Sequence, residues 1–254
     1  MNPFLGPELQ RDLVLASASP RRREILERLG FGFEVFPAGV EENDISCADH
    51  ARFAILLAER KAEAARRARP HATVIAADTI VVCGDSRLGK PVDESDASSM
   101  LRSLSGRAHE VITGVAVIAP DGRRLAEAER TRVYFRLLSG DEVARYVGTG
   151  EPFGKAGAYA IQGYAAPFIQ KIEGCYFNVV GLPVSLLFAM LSMLERTMDD
   201  HSNHCLPAGS GRDHRPDAPP ARGTDRAARR HRGDRGGHQI PPGARRPGDR
   251  HRRG

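Results

Sequence analysis

No stretch of about 18 consecutive apolar residues occurs in this chain, so no membrane span is expected. The start lacks the basic region, apolar stretch and small-residue cleavage site of a secretory signal, and none is expected. Cysteine is scarce. Cys47, Cys83, Cys175 and Cys205 are scattered, without a CxxC pair or a metal-knuckle spacing. Reduced thiols in a cytoplasmic protein are the simplest reading. There is no internal repeat. Beyond residue 200 there is no Phe, Tyr or Trp, and Leu206 and Ile240 are nearly the only large apolar side chains.

Charge is unevenly distributed. Of 37 Lys and Arg, 13 fall after residue 200, against 5 of the 32 Asp and Glu. The overall charge of +5 therefore divides into −3 over the first 200 residues and +8 over the rest. Residues 201–254, rich in Arg, Pro and Gly, bury too little apolar surface to offset the entropy of ordering. They are expected to be a disordered tail, and residues 1–200 the folded domain. Such a tail can bind nucleic acid by counterion release. The missing aromatics argue against it, because a single-strand binder stacks bases on them.

Apolar periodicity across residues 1–200 predicts strands at 13–17, 33–36, 73–82, 110–119, 124–135, 169–171 and 177–180. It predicts helices at 21–29, 49–67, 95–104, 139–147 and 183–194. Pro120-Asp121-Gly122 reads as a hairpin turn, and Ser-Gly-Asp-Glu at 139–142 as a capping box. Strands interleaved with helices imply a single α/β domain. The hairpin makes its sheet mixed.

The first strand runs into Ser17-Ala18-Ser19-Pro20-Arg21-Arg22-Arg23. Ser19 suits an N-cap and Pro20 the first helical position. Free N–H groups of the first turn favour an anion, and arginines grip phosphate with two donors at once. Cations oppose the dipole at that end of a helix, so three in a row call for an anionic ligand or else a solvated face. Asp78 sits inside the apolar run 74–82, where a carboxylate is costly without a partner, a metal or a catalytic task. It suits binding a divalent ion or taking a proton from water; the alternative is a structural aspartate held by backbone N–H groups. Glu41 and Glu42 offer neighbouring carboxylates that recruit Mg²⁺, or are simply solvated. Lys61 lies on the long helix, and Lys90 is pinned between a glycine and a proline. Residues 155–163, Lys-Ala-Gly-Ala-Tyr-Ala-Ile-Gln-Gly, permit close backbone approach. Gln162 offers both donor and acceptor to the edge of a base, or ends a structural turn. Asn178-Val179-Val180-Gly181-Leu182-Pro183 reads as structural.

Together these segments resemble the Maf family of nucleoside triphosphate pyrophosphatases. The matching pieces, in order, are Ala-Ser-Ala-Ser-Pro-Arg-Arg, Gly-Val-Glu-Glu, Leu-Ala-Glu-Arg-Lys-Ala, Ala-Ala-Asp-Thr-Ile-Val, Gly-Lys-Pro, Leu-Ser-Gly with His109 and Thr113-Gly114 downstream, Lys-Ala-Gly-Ala-Tyr-Ala-Ile-Gln-Gly and Asn-Val-Val-Gly-Leu-Pro. The resemblance implies a Maf/ITPase-like fold, with a twisted mixed sheet flanked by helices. It also implies hydrolysis of a nucleoside triphosphate to the monophosphate and pyrophosphate, with Mg²⁺ or Mn²⁺ as cofactor. Asp78 would accept the proton from the attacking water. Ser17, Arg21 and Arg22 would hold the triphosphate, Lys61 and Lys90 would neutralise the leaving group, and Glu42 would join Asp78 at the metal. Arg21, Thr79 and Gln162 match the branch similar to dTTP and UTP hydrolases, whereas the 7-methyl-GTP branch carries Trp, Gln and Glu there. The family is also linked to arrest of cell division at septum formation. The implied partners are the nucleotide itself and no membrane, with a homodimer left open and nucleic-acid binding by the tail disfavoured.

Overall fold

A computed structural model describes residues 2–40 and 45–203, with side chains through Arg196. The chain forms α1 (Pro7–Gln10), β1 (Leu13–Ala16), α2 (Pro20–Arg28), β2 (Glu34–Val35), α3 (His50–Ala68), β3 (Thr73–Cys83), β4 (Ser86–Leu88) and α4 (Glu94–Leu104). There follow β5 (Ala108–Ile118), β6 (Arg124–Phe135), α5 (Gly140–Val147), β7 (Ile169–Glu173), α6 (Tyr176–Val180) and α7 (Val184–Asn203). The strands form one sheet in the order β2-β1-β3-β5-β6-β7, with β4 also beside β3. β1 runs parallel to β2 and β3, and the other pairings are antiparallel. The sheet is therefore mixed, as the hairpin predicts.

Local chemistry sets most boundaries. Asp49 accepts from the Arg52 N–H to start α3, and Asp93 accepts from the Asp96 N–H to start α4. Ser139 and Glu142 form the expected capping box of α5. α3 buries Phe53, Ala54, Leu57, Ala58, Ala62 and Ala65, a helical stripe laid along one face of the sheet. That stripe meets Val74, Ala76, Ile80 and Val82, alternate residues of β3. The intervening Ile75 and Ala77 face α2 and α7 across the other side. Gly114 of β5 makes the first contact possible, since a Cβ there would fall inside the Ala54 backbone.

Register creates the opening that matters. β5 pairs with β3 all along one edge, from Val74 to Val82. On the opposite edge β1 stops at the Ala16–Ala76 pair, and β4 begins only at Val81–Leu88. Between them, residues 77–80 of β3 have no strand neighbour on that side among the described residues.

Several expectations need correction. Residues 177–180, expected as a strand, form the single helical turn α6. A short β-branched run fits either period, and here the buried Asn178 decides: its amide donates to Val111 O and Thr131 Oγ1, both at 2.9 Å. α7 extends to Asn203, three residues into the expected tail. Residues 204–254, with Cys205, and Glu41 and Glu42 lie outside the described residues. The short elements α1 and β4 have no periodic signal in the sequence. Among the described residues, no helix is long and apolar enough to cross a membrane, and Cys47, Cys83 and Cys175 are free thiols.

Candidate active site

A cleft of about 750 Å³ lies along the open stretch of β3. It sits beyond the carboxyl end of β1, where ligands collect in open α/β sheets. Ser17, Arg21, Arg22, Lys61, Asp78, Thr79, Lys90 and Gln162 all line it. Residues from position 17 to 162 thus converge on one cavity. Val40 lines it too, whereas Glu42 is outside the described residues.

Asp78 is 7% exposed. Its place in the β3 alternation turns it toward α3, where Lys61 Nζ donates to its Oδ1. Its partner is thus a lysine rather than the backbone N–H groups of a purely structural aspartate. Thr79 points the other way. Its hydroxyl accepts from Arg22 Nη2 at 2.9 Å and lies 2.9 Å from Thr113 Oγ1, its cross-strand neighbour. Thr113 in turn donates to Asn178 O at 3.1 Å. A polar chain therefore runs from α2 through two strands to α6.

Arg22 anchors the opening turn. Its Nε donates to Gly181 O at 2.7 Å and its Nη1 to Ser17 Oγ at 2.9 Å. With Thr79, three of its five N–H donors are engaged within the protein. Burial lowers its pKa, and the Asp78 charge opposes that shift. Ser17 Oγ also accepts from Ser19 N–H at 3.2 Å. Ser19 occupies the N-cap position of α2, yet its side chain makes no capping bond. The first-turn N–H groups therefore have no side-chain cap, in a turn that lines the cleft.

Arg21 makes no hydrogen bond or ion pair among the described residues. Burial lowers its pKa and the Glu151 charge restores part of that. Lys90 is exposed, on a loop whose Gly89 O accepts from Gly157 N–H at 3.0 Å. That bond ties it to the segment that begins with Lys155. Lys155 is a cleft residue that the motif reading quotes without assigning a role. It follows Gly154 as Lys90 follows Gly89, without the proline that comes after Lys90. Its Nζ donates to Glu151 O, and burial, with the Arg21 charge adding to it, holds its pKa below the ordinary lysine value. Thr113 is likewise quoted there without a role; its part follows from strand register, which sequence period does not give.

The lining carries five cations, Arg21, Arg22, Lys61, Lys90 and Lys155, against one carboxylate among the described residues. Such an imbalance in a concave site draws a polyanion. No cluster of three His, Cys, Asp or Glu occurs among the described residues. Asp78, with one oxygen on Lys61, suits a hard cation only when other oxygens share it. Mg²⁺ is held in this way, by one or two carboxylates together with substrate phosphates.

His109, part of one matching segment, is not in the cleft. It is buried against Phe135 and Tyr159, and its Nε2 lies 2.8 Å from the Tyr159 hydroxyl.

Comparison with known proteins gives a consistent picture. The family model described as Maf-like protein matches residues 12–194. A dTTP/UTP pyrophosphatase of Desulforamulus reducens is 50% identical over 184 residues, covering 72% of this chain and 96% of that protein. A dTTP/UTP pyrophosphatase of Pelotomaculum thermopropionicum is 50% identical over 71% of this chain and 95% of its own length. A solved nucleoside-triphosphatase / dITP/XTP pyrophosphatase of Mycobacterium abscessus aligns loosely, at 17% identity and a TM-score of 0.33, over 49% of this chain and 74% of its own. The segments that build the cleft fall within the matched residues, and the chain belongs to the Maf-like protein family.

Proposed function

We propose that this protein hydrolyses dTTP and UTP to the nucleoside monophosphate and pyrophosphate. Relatives of that name are 50% identical to it over nearly their whole length. The observation that carries the reading is a cleft in which Asp78, paired with Lys61, shares the lining with Arg21, Arg22, Lys90 and Lys155. This is the charge pattern phosphoryl transfer needs: positioning and electrostatic stabilisation with little covalent chemistry from the protein.

In this reading the triphosphate enters along the open edge of β3. Arg21 and the uncapped first turn of α2 take phosphate oxygens, while Lys90 and Lys155 face the leaving pyrophosphate. Arg22 contributes charge and its two remaining donors, but its main work is to hold Ser17, Thr79 and Gly181 in place. Asp78 accepts a proton from water as the water oxygen bonds to the α-phosphorus. The bond from that phosphorus to the bridging oxygen breaks, and pyrophosphate departs. Lys61, on Oδ1, orients the carboxylate. A divalent ion, Mg²⁺ or Mn²⁺, would be held by Asp78 and Glu42 with substrate oxygens, and would neutralise phosphate charge. Gln162 would meet the base side of the nucleotide.

Pyrophosphate release from dTTP, UTP and 7-methyl-GTP, each with Mg²⁺ or Mn²⁺, tests the assignment. The pyrimidine nucleotides should be preferred, and Asp78→Asn should lower kcat by about 10³-fold without loss of fold. Preference for 7-methyl-GTP would overturn the base assignment. Near-normal turnover by Asp78→Asn would overturn the site.

A further inference from the structure

Gln162 sits in the middle of a short segment that is gripped at both ends by one pair of side chains. At one end the Ala160 N–H donates to the Tyr146 hydroxyl, 3.3 Å away. At the other the Tyr164 N–H donates to Glu151 Oε2 at 3.0 Å. The two grips are joined, because the Tyr146 hydroxyl donates its own proton to Glu151 Oε1 at 2.8 Å. Tyr146 is 3% exposed and packs edge-on to Phe168, with ring centroids 5.2 Å apart, so packing fixes where its hydroxyl lies. Burial and the bond to Glu151 push its pKa up, which keeps it a donor. Gly163 lies directly against the Glu151 carboxylate, where a Cβ would overlap both oxygens. Between the grips, Gln162 is exposed on the cleft and makes no hydrogen bond to the described residues.

The chemistry of the pair is specific. Both oxygens of Glu151 accept, one from a hydroxyl and one from a backbone amide. A carboxylate offers two such acceptors; a glutamine offers one and presents N–H donors where the second is needed. Tyr146 must be both acceptor and donor, which its hydroxyl allows and a phenyl ring does not. Neither side chain lines the cleft, yet both act on the loop that does.

We propose that Tyr146 and Glu151 form a clamp that selects the base: by fixing residues 160–164 they hold the Gln162 amide in one orientation toward the nucleotide. They are positioning residues, and the inference rests on the reading of Gln162 as the residue that meets the base. A loosened loop would let Gln162 swing, costing affinity and discrimination more than chemistry. Thymine presents a carbonyl and an N3–H where cytosine presents an amino group and a bare N3, so dCTP is the competitor that reports on that orientation.

The test is kinetics of Tyr146→Phe and Glu151→Gln with dTTP and dCTP, alongside hydrogen–deuterium exchange. Loss of one or two hydrogen bonds should raise KM for dTTP about tenfold and lower the dTTP-over-dCTP ratio of kcat/KM about tenfold. Turnover at saturation should stay within about threefold of wild type. The amides of Ala160 and Tyr164 should exchange faster while those of β3 do not. Tyr146→Phe keeps the ring packing, so it decides the matter if Glu151→Gln melts early. A selectivity ratio unmoved in Tyr146→Phe, or an equal loss of kcat on both nucleotides, would overturn the clamp. A wild-type protein inactive on every nucleotide would overturn the functional reading instead.

Discussion

Asp78 and Thr79 are consecutive in the chain and opposed in space. The pleat of β3 sends one to Lys61 on α3 and the other to Arg22 and Thr113. Sequence shows the oddity of a carboxylate in an apolar run, but not who answers it, because Lys61 is 17 residues away and Thr113 is 34 from Thr79. His109 shows the reverse case: a motif histidine that belongs to the core. It is 2% exposed with Nδ1 unpartnered, and burial pushes its pKa down to about 4 from 6.5. The folded protein therefore holds it neutral where the unfolded chain would protonate it. Its contribution to stability is complete above about pH 6.5 and is lost as pH falls from there through about 4. The loss at the acid end should approach about 3 kcal/mol. Thermal melts of wild type and His109→Phe between pH 7 and 4.5 would check this. The variant's melting temperature should fall less steeply with acid; parallel curves would mean that His109 charges in place.

Helix starts were readable because a cap is local chemistry. Ser139 names its own helix through its capping box, and the side chains of Asp49, Asp93 and Ser139 accept the bonds that start α3, α4 and α5. α2 is the exception, and the missing bond at Ser19 belongs to a turn that lines the cleft. α6 was unreadable because five residues cannot show a period, and because its fold is set by Asn178 reaching to β5 and β6. The contact between α3 and β5 carries a sharper consequence. Ala54 rests on Gly114, seven residues before Lys61 on the same helix. Gly114→Ala would drive α3 off the sheet at that point, an overpacking cost of about 3 kcal/mol. The urea midpoint should drop accordingly. Turnover should drop as well, because Lys61 moves with its helix away from Asp78. An unchanged midpoint would show that α3 shifts freely, and would remove the rigid support claimed for the lysine.

The long strands came through clearly, with 73–82 and 110–119 written as long apolar runs, but strand order did not. Period 2 says that a segment is a strand and which way its side chains alternate; it says nothing of its neighbours. The gap on β3 between the end of β1 and the start of β4 is a property of register alone. Hence the site residues could be named from motifs while the reason they meet could not. The same separation bears on the C-terminal segment. Among the described residues the cleft lining runs from Ser17 to Gly181, and the +8 charge lies beyond residue 200. A chain ended at Asn203 falls from a net charge of +5 to −3. Its kcat/KM for dTTP should stay within about twofold of the full chain, since the cleft lining among the described residues ends at Gly181. Any retention on DNA or heparin at low salt should vanish, because counterion release scales with the cations engaged. Loss of turnover together with those residues would mean that the cleft is completed from beyond α7, and the boundary of the catalytic unit would have to move with it.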